Sequence, residues 1–196
     1  MTTPDHQLVQ IVDAATADAA LRSGHWLHCR LGCTQCCIGI FSITQLDATR
    51  LRTGLAALDL ETPEKAAAVR RRAADSVRRL TPGFPGNPVT GQLDESDPRY
   101  DDFANDEPCP ALDPATGACD LYAARPITCR VFGPPIRSEG GIGVCELNFD
   151  GATEKEIFAA ELDTTWSGLE STLNSETELQ SGTSGSTTVA WALAKP

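Results

Sequence analysis

Basic residues, histidine and large aromatics are all scarce in this 196-residue chain, and each shortage excludes something. With 16 lysines and arginines against 27 aspartates and glutamates, the formal charge is -11. A nucleic acid is therefore not an expected partner, because binding a polyanion needs a cationic surface that releases counterions. Three histidines leave little imidazole for metal or acid–base chemistry. No apolar run approaches the roughly 18 residues that cross a bilayer, and the start, MTTPDHQLVQ, lacks the basic and apolar stretches of a secretory signal. The expectation is a cytoplasmic protein with no membrane partner, in a compartment that keeps thiols reduced. There is no G-x-G-x-x-G turn, P-loop or H-E-x-x-H helix. Aromatics make up 6% of the chain, and the 41% classed as hydrophobic includes 25 alanines and 8 cysteines. That leaves a thin core for one compact unit, so something besides packing should help to hold it.

Helix signals are strong on both sides of the cysteines. Leu8, Ile11, Val12, Ala15 and Ala19 recur at helical spacing before the Ser23-Gly24 stop. A second helix starts at Ser42 with Gln45 or at Thr44 with Asp47, and carries Leu46, Leu51, Leu55 and Leu58 inward. Thr62-Pro63-Glu64 opens a third, buried along Ala66, Val69, Ala73, Val77 and Leu80, with Arg70, Arg71, Arg72, Arg78 and Arg79 on its other faces. The acidic loop from Asp94 to Glu107 is expected to lie against those arginines, through Arg71 and Arg78. CDLY and ITCRVF read as the only strand-like pieces of a loop-rich segment, and Gly140-Gly141-Ile142-Gly143 as a flexible loop. Thr153 with Glu156 caps a helix running to about Leu162, and Trp166 anchors the core. Residues 167–188 are too rich in Ser, Thr, Gly and Glu to offset chain entropy alone, whereas TTVAWALA is a docking segment.

Eight cysteines stand out against these shortages: Cys29, Cys33, Cys36 and Cys37 within nine residues, then Cys109, Cys119, Cys129 and Cys145. As a helix, the first group puts Cys29, Cys33 and Cys36 on one face; as a loop, Cys33-x-x-Cys36 forms a two-thiolate turn. Adjacent Cys36 and Cys37 suit ligation better than a relaxed disulfide. Four thiolates on zinc, or on an oxidised four-iron cluster, leave a charge near minus two that cations and amides stabilise. Arg30, Arg125 and Arg130, each close to a cysteine, are candidates for that role, with surface ion pairing as the alternative. His25 and His28 flank Cys29 and read as ordinary packed or surface groups, since eight thiols already suffice, with an extension of the ligand set as the alternative. Tyr122 is expected in the core with its hydroxyl bonded to backbone.

The first group followed by Cys109-Pro-Ala-Leu112 and by Gly117-Ala-Cys119-Asp-Leu-Tyr122-Ala-Ala-Arg125-Pro126-Ile-Thr-Cys129-Arg130-Val-Phe132 resembles the YkgJ-type cysteine-cluster family, the CxxCxxCC zinc- or iron-chelating domain. The family places two residues between its first two cysteines, where this chain has Arg30, Leu31 and Gly32, so Cys29 departs from the pattern. The resemblance implies a chelating domain; similar flagellin lysine methylases join such a domain to N-methylation and an iron–sulfur cluster. Cys29-x-x-x-Cys33-x-x-Cys36 also reproduces the spacing of radical S-adenosylmethionine enzymes, but Gln35 replaces their aromatic residue and no strand–helix alternation follows.

The expected fold is mainly α with irregular cysteine-rich loops and short strands, a small single metal-organised domain. Its parts are an N-terminal helix over 1–25, a metal-chelating domain over 26–148, and a C-terminal helix with a polar, partly flexible tail over 149–196. The expected function is thiolate chelation of an iron–sulfur cluster, 4Fe–4S, or of zinc, in an accessory or carrier role. Iron–sulfur is favoured because soft thiolates are plentiful and histidine scarce. The alternatives are an iron–sulfur enzyme component and a structural zinc domain that binds another protein.

Overall fold

The computed structural model describes residues 3–30, 32–138 and 140–194. It is mainly α, with irregular cysteine-bearing loops and two small hairpins, as the helix signals imply. It divides into two compact units: residues up to 30 with 127–173, and residues 32–126 with 174–194. Among the described residues no helix is long and apolar enough to cross a membrane.

The first unit is led by α1 (Pro4–Ser23), whose Thr3 hydroxyl accepts from the His6 amide and whose Pro4 occupies the first turn. Leu8, Val12 and Ala19 are its buried stripe. α4 (Ile127–Arg130) and α5 (Glu154–Ala159) both pack on α1. Thr153 and Glu156 close a reciprocal capping box on α5, which ends before the expected Leu162. The strand-like reading of ITCRVF is corrected, because Ile127–Arg130 is a single helical turn. The first strand of this unit's hairpin is Ile136–Ser138, and the second is Gly141–Gly143, in the glycine stretch expected to be a flexible loop.

The second unit is built on α2 (Gln45–Glu61), α3 (Pro63–Leu80) and α7 (Val189–Ala194), which pack pairwise. Thr44 is the cap of α2, its hydroxyl accepting from the Asp47 amide. Ile43, Leu51, Leu55, Val69, Leu121 and Leu193 form the main core with several alanines, and Cys109 and Cys119 pack against its edge. A second cluster joins Leu80, Phe84 and Leu93 to Trp191, supplied by the expected docking segment. The other hairpin pairs Gly86–Asn87 with Gln92–Leu93. Its Gly91 (φ +72°) leaves room for the Trp191 ring, since a Cβ there would stand 2.2 Å from the indole.

α6 (Ser167–Ser181) begins in the first unit and ends in the second, where composition alone offers no helix. Its Asn174 accepts from the Leu46 amide at 3.1 Å and so supplies a tertiary cap to α2. The acidic loop does meet the arginine helix, but through Arg79, whose guanidinium donates to Glu107 at 2.6 Å. Arg71 is exposed, and Arg78 pairs with Asp75 on its own helix.

Candidate metal centre

None of the eight cysteines is in a disulfide. Cys33, Cys36, Cys37, Cys109 and Cys119 belong to the second unit, and Cys29, Cys129 and Cys145 to the first.

In the second unit the loop alternative for the first cysteine group holds, since Gln35–Cys37 is a single 3-10 turn. Ile38 then pairs antiparallel with Pro108, and the Cys109 amide donates to the Cys37 carbonyl at 2.8 Å. That pairing closes a gap of more than seventy residues in the chain. A second bridge, Leu112 with Cys119, folds the next segment back on itself. Between them Asp113-Pro-Ala-Thr-Gly117 makes a tight turn. Asp113 accepts from the Ala115 amide and the Thr116 hydroxyl, while Gly117 takes the left-handed conformation (φ +68°).

Arg72 of α3 ties the later of these loops to the helical core. Its Nε donates to the Pro110 carbonyl at 2.8 Å and its Nη2 to Asp120 at 2.7 Å. Asp120 is nearly buried and is also approached by Lys65 at 3.7 Å. The arginine-helix residue that matters to the cysteines is thus one whose partners lie beside Cys109 and Cys119. Arg72→Ala is expected to weaken metal retention about tenfold, the lower end of the usual cost of losing a group that supports ligands. Competition with a chelator of known affinity measures it.

The thiols of Cys36, Cys37, Cys109 and Cys119 are near enough for their charges to act on one another. The Cys37 thiol hydrogen-bonds to Cys36, which brings Cys36 down to about 6 and pushes Cys37 well above an ordinary thiol. Burial pushes Cys109 up to about 11, against the amides of Ala111 and Leu112 that donate to its sulfur and the charge of Arg72. Burial also raises Cys119, opposed by the Leu121 amide and by Arg125. Among the described residues no three His, Cys, Asp or Glu side chains already stand in a closed metal-ligating array. The donor chemistry nevertheless fits a soft metal: four sulfurs within electrostatic reach of one another, backbone amides directed at two of them, and a guanidinium whose charge favours thiolates.

The other expected residues fall as follows. Arg125 lies 3.9 Å over the Tyr122 ring, and its charge lowers Cys36. Tyr122 is therefore not a core residue: it is 63% exposed and serves as a platform for the guanidinium. Arg30 is exposed. Arg130 is buried, with Nη1 donating to both Asp13 oxygens at 2.9 Å, the ion-pair alternative. His25 is exposed and tilts against Trp26, and His28 is exposed.

Sequence reasoning missed Asn148, a buried residue of the first unit. Its Oδ1 accepts from the His28 amide at 2.8 Å, and its Nδ2 donates to the Gly133 carbonyl at 3.0 Å and lies 3.5 Å from the Cys29 sulfur. Gly133 (φ +122°) completes the contact, since a Cβ there would stand 3.0 Å from that sulfur. A lone asparagine next to a leucine and a phenylalanine carries no sequence signal for this role. Cys129 and Cys145 are half-buried in the same unit.

The CxxCxxCC family, "Putative zinc- or iron-chelating domain", matches residues 28–145, more than half of the chain and all eight cysteines. The chain belongs to this family. No curated protein and no solved structure matches it. Membership in the CxxCxxCC family makes metal binding the function at its coarsest level. Within the family's span, the second unit supplies the turns, bridges and amide donors around its thiols.

Proposed function

We propose that Cys36, Cys37, Cys109 and Cys119 hold an iron–sulfur cluster of the 4Fe–4S type, and that the protein is a metal-binding accessory or carrier. The observation that carries this reading is the joining of two remote cysteine loops by the Ile38–Pro108 pairing, which makes the four sulfurs electrostatic neighbours. A bound cluster supplies a one-electron redox couple, and zinc in its place supplies cross-linking alone. The amides of Ala111, Leu112 and Leu121 offset the charge of the thiolates, and Arg125 adds a cation. Arg72 holds the later loop to α3 at Pro110 and at Asp120.

Cys33, on the same turn as Cys36, is the reserve ligand. Cys29, Cys129 and Cys145 form a second thiol set, with Arg30 and Arg130 as its nearest cations in sequence. Anaerobic purification followed by analysis for iron, acid-labile sulfide and zinc tests the proposal. Iron and sulfide in equal amounts, four of each per chain, are expected. Colourless protein with stoichiometric zinc overturns the cluster, and protein without either metal overturns the four-thiolate site.

A further inference from the structure

Ser23, Thr53 and Thr172 show how a helical hydroxyl is ordinarily satisfied. Each donates to the carbonyl four residues back, Ala19 at 2.7 Å, Thr49 at 3.0 Å and Gly168 at 2.9 Å. Ser76 of α3 is different. It is 1% exposed, and its Oγ has no hydrogen-bond partner among the described residues, the Arg72 carbonyl one turn back included. A hydroxyl buried without a bond is costly, and alanine in its place would remove that cost, so the side chain calls for an acceptor.

Its place on α3 shows which acceptor is at hand. Lys65, Arg72, Ser76 and Arg79 follow one another at steps of seven, four and three residues and so share one face of the helix. The other three all reach the loop that carries Cys109 and Cys119. Arg79 donates to Glu107 at 2.6 Å, Arg72 to the Pro110 carbonyl at 2.8 Å and to Asp120 at 2.7 Å, and Lys65 stands 3.7 Å from Asp120. The chain therefore runs from Glu107 beside Arg79 to Pro110 beside Arg72. Ser76, between those two arginines, stands alongside Pro108 and Cys109. The Cys109 sulfur belongs to this side of the loop, because the charge of Arg72 acts on it and Cys109 packs on the core cluster that contains Val69 and Ala73 of α3. A neutral thiol is a weak acceptor, whereas an ionised sulfur is a strong one. A donor left over beside the thiol thus gains its partner once a metal ionises the sulfur.

We propose that the Ser76 hydroxyl donates a hydrogen bond to the Cys109 thiolate when that sulfur holds metal, and that this bond tunes the centre. The proposal rests on Cys109 being a ligand. With a cluster bound, a donor to sulfur favours the more negative, reduced state.

The test compares the anaerobically purified full chain with Ser76→Ala, Ser76→Thr and, as a control on another helix, Thr53→Ala. Alanine keeps the helix and removes only the hydroxyl. Iron, sulfide and zinc are counted in each, and the midpoint potential is measured. Ser76→Ala should keep its iron and sulfide while its reduction becomes about threefold less favourable, about 30 mV for one electron. Ser76→Thr, which retains the hydroxyl, and Thr53→Ala should stay with the parent. A parent that holds zinc overturns the cluster and leaves the hydrogen bond measurable. After cobalt substitution, the sulfur-to-metal absorption band of Ser76→Ala should then lie at longer wavelength than those of the parent and Ser76→Thr. With iron and sulfide present, an unshifted potential in Ser76→Ala, or an equal shift in Ser76→Thr, overturns the role of Ser76 and leaves the cluster standing. An unmoved cobalt band overturns it in the zinc protein, and a parent that binds neither metal overturns both readings.

Discussion

Cys109→Ser is expected to lose bound metal and, with it, the cooperative fold of the second unit. Cys109 sits where three supports meet: the backbone bond to Cys37, the amides of Ala111 and Leu112, and the main core on which it packs. A serine keeps the shape but replaces a soft, ionisable donor by a hydroxyl that stays protonated. Metal–thiolate binding in small structural sites is worth on the order of 10 kcal/mol, comparable to the whole stability of a domain, about 5–15 kcal/mol. The alanine-rich core has little to set against that loss. Metal analysis and thermal unfolding of the variant, beside Arg71→Gln as an exposed control, give the result. Full metal content with an unchanged midpoint would remove Cys109 from the ligand set.

Trp191→Ala should be the most damaging change away from the thiols, at about 3–5 kcal/mol by denaturant unfolding. The ring is 3% exposed, lies 4.2 Å from the Phe84 ring, and fills the space left by Gly91. Removing it opens a cavity and leaves the Pro88 carbonyl without its indole donor. A Trp191→Phe variant, which restores most of the volume but not the N–H, should recover more than half of the loss. An alanine variant within 1 kcal/mol of the parent would show that the cluster repacks.

Much of the helical frame was legible because its signals are local. Thr44 with Asp47, Thr62 with Pro63, and Thr153 with Glu156 each mark a helix start by chemistry completed within four residues. The buried faces of α2 and α3 follow from side-chain spacing in the same way, and that of α1 does so through Leu8, Val12 and Ala19, whereas Ile11, expected on the same stripe, is exposed. What was hidden depends on distant partners. α6 has few large apolar residues, and Leu179 on it is 85% exposed, yet its Asn174 closes the end of another helix. Tyr122 reads as a core residue until Arg125 is seen stacked on it. ITCR contains two β-branched residues and looks extended, but after Pro126 it forms one helical turn whose Arg130 reaches Asp13.

The candidate centre was half legible for the same reason. Motif and spacing named the cysteines, and the family match spans them, but no rule of spacing separates Cys36, Cys37, Cys109 and Cys119 from the other four. The proposed separation rests on the Ile38–Pro108 and Leu112–Cys119 bridges. Arg72 was one of five arginines on a polar helix face, and only its bonds to Pro110 and Asp120 distinguish it.

The Ile38–Pro108 bridge also sets a timetable for biosynthesis. Cys36 and Cys37 leave the ribosome more than seventy residues ahead of Cys109, so they wait as bare thiols through a long stretch of translation. Only when residues beyond Cys119 have emerged does the later loop reach them, and α7, which underlies that loop in the core, is made later still. With the proposed ligand set, loading of the site comes late in synthesis, and the first cysteine group, Cys29 to Cys37, is the part of the nascent chain that waits longest as bare thiols.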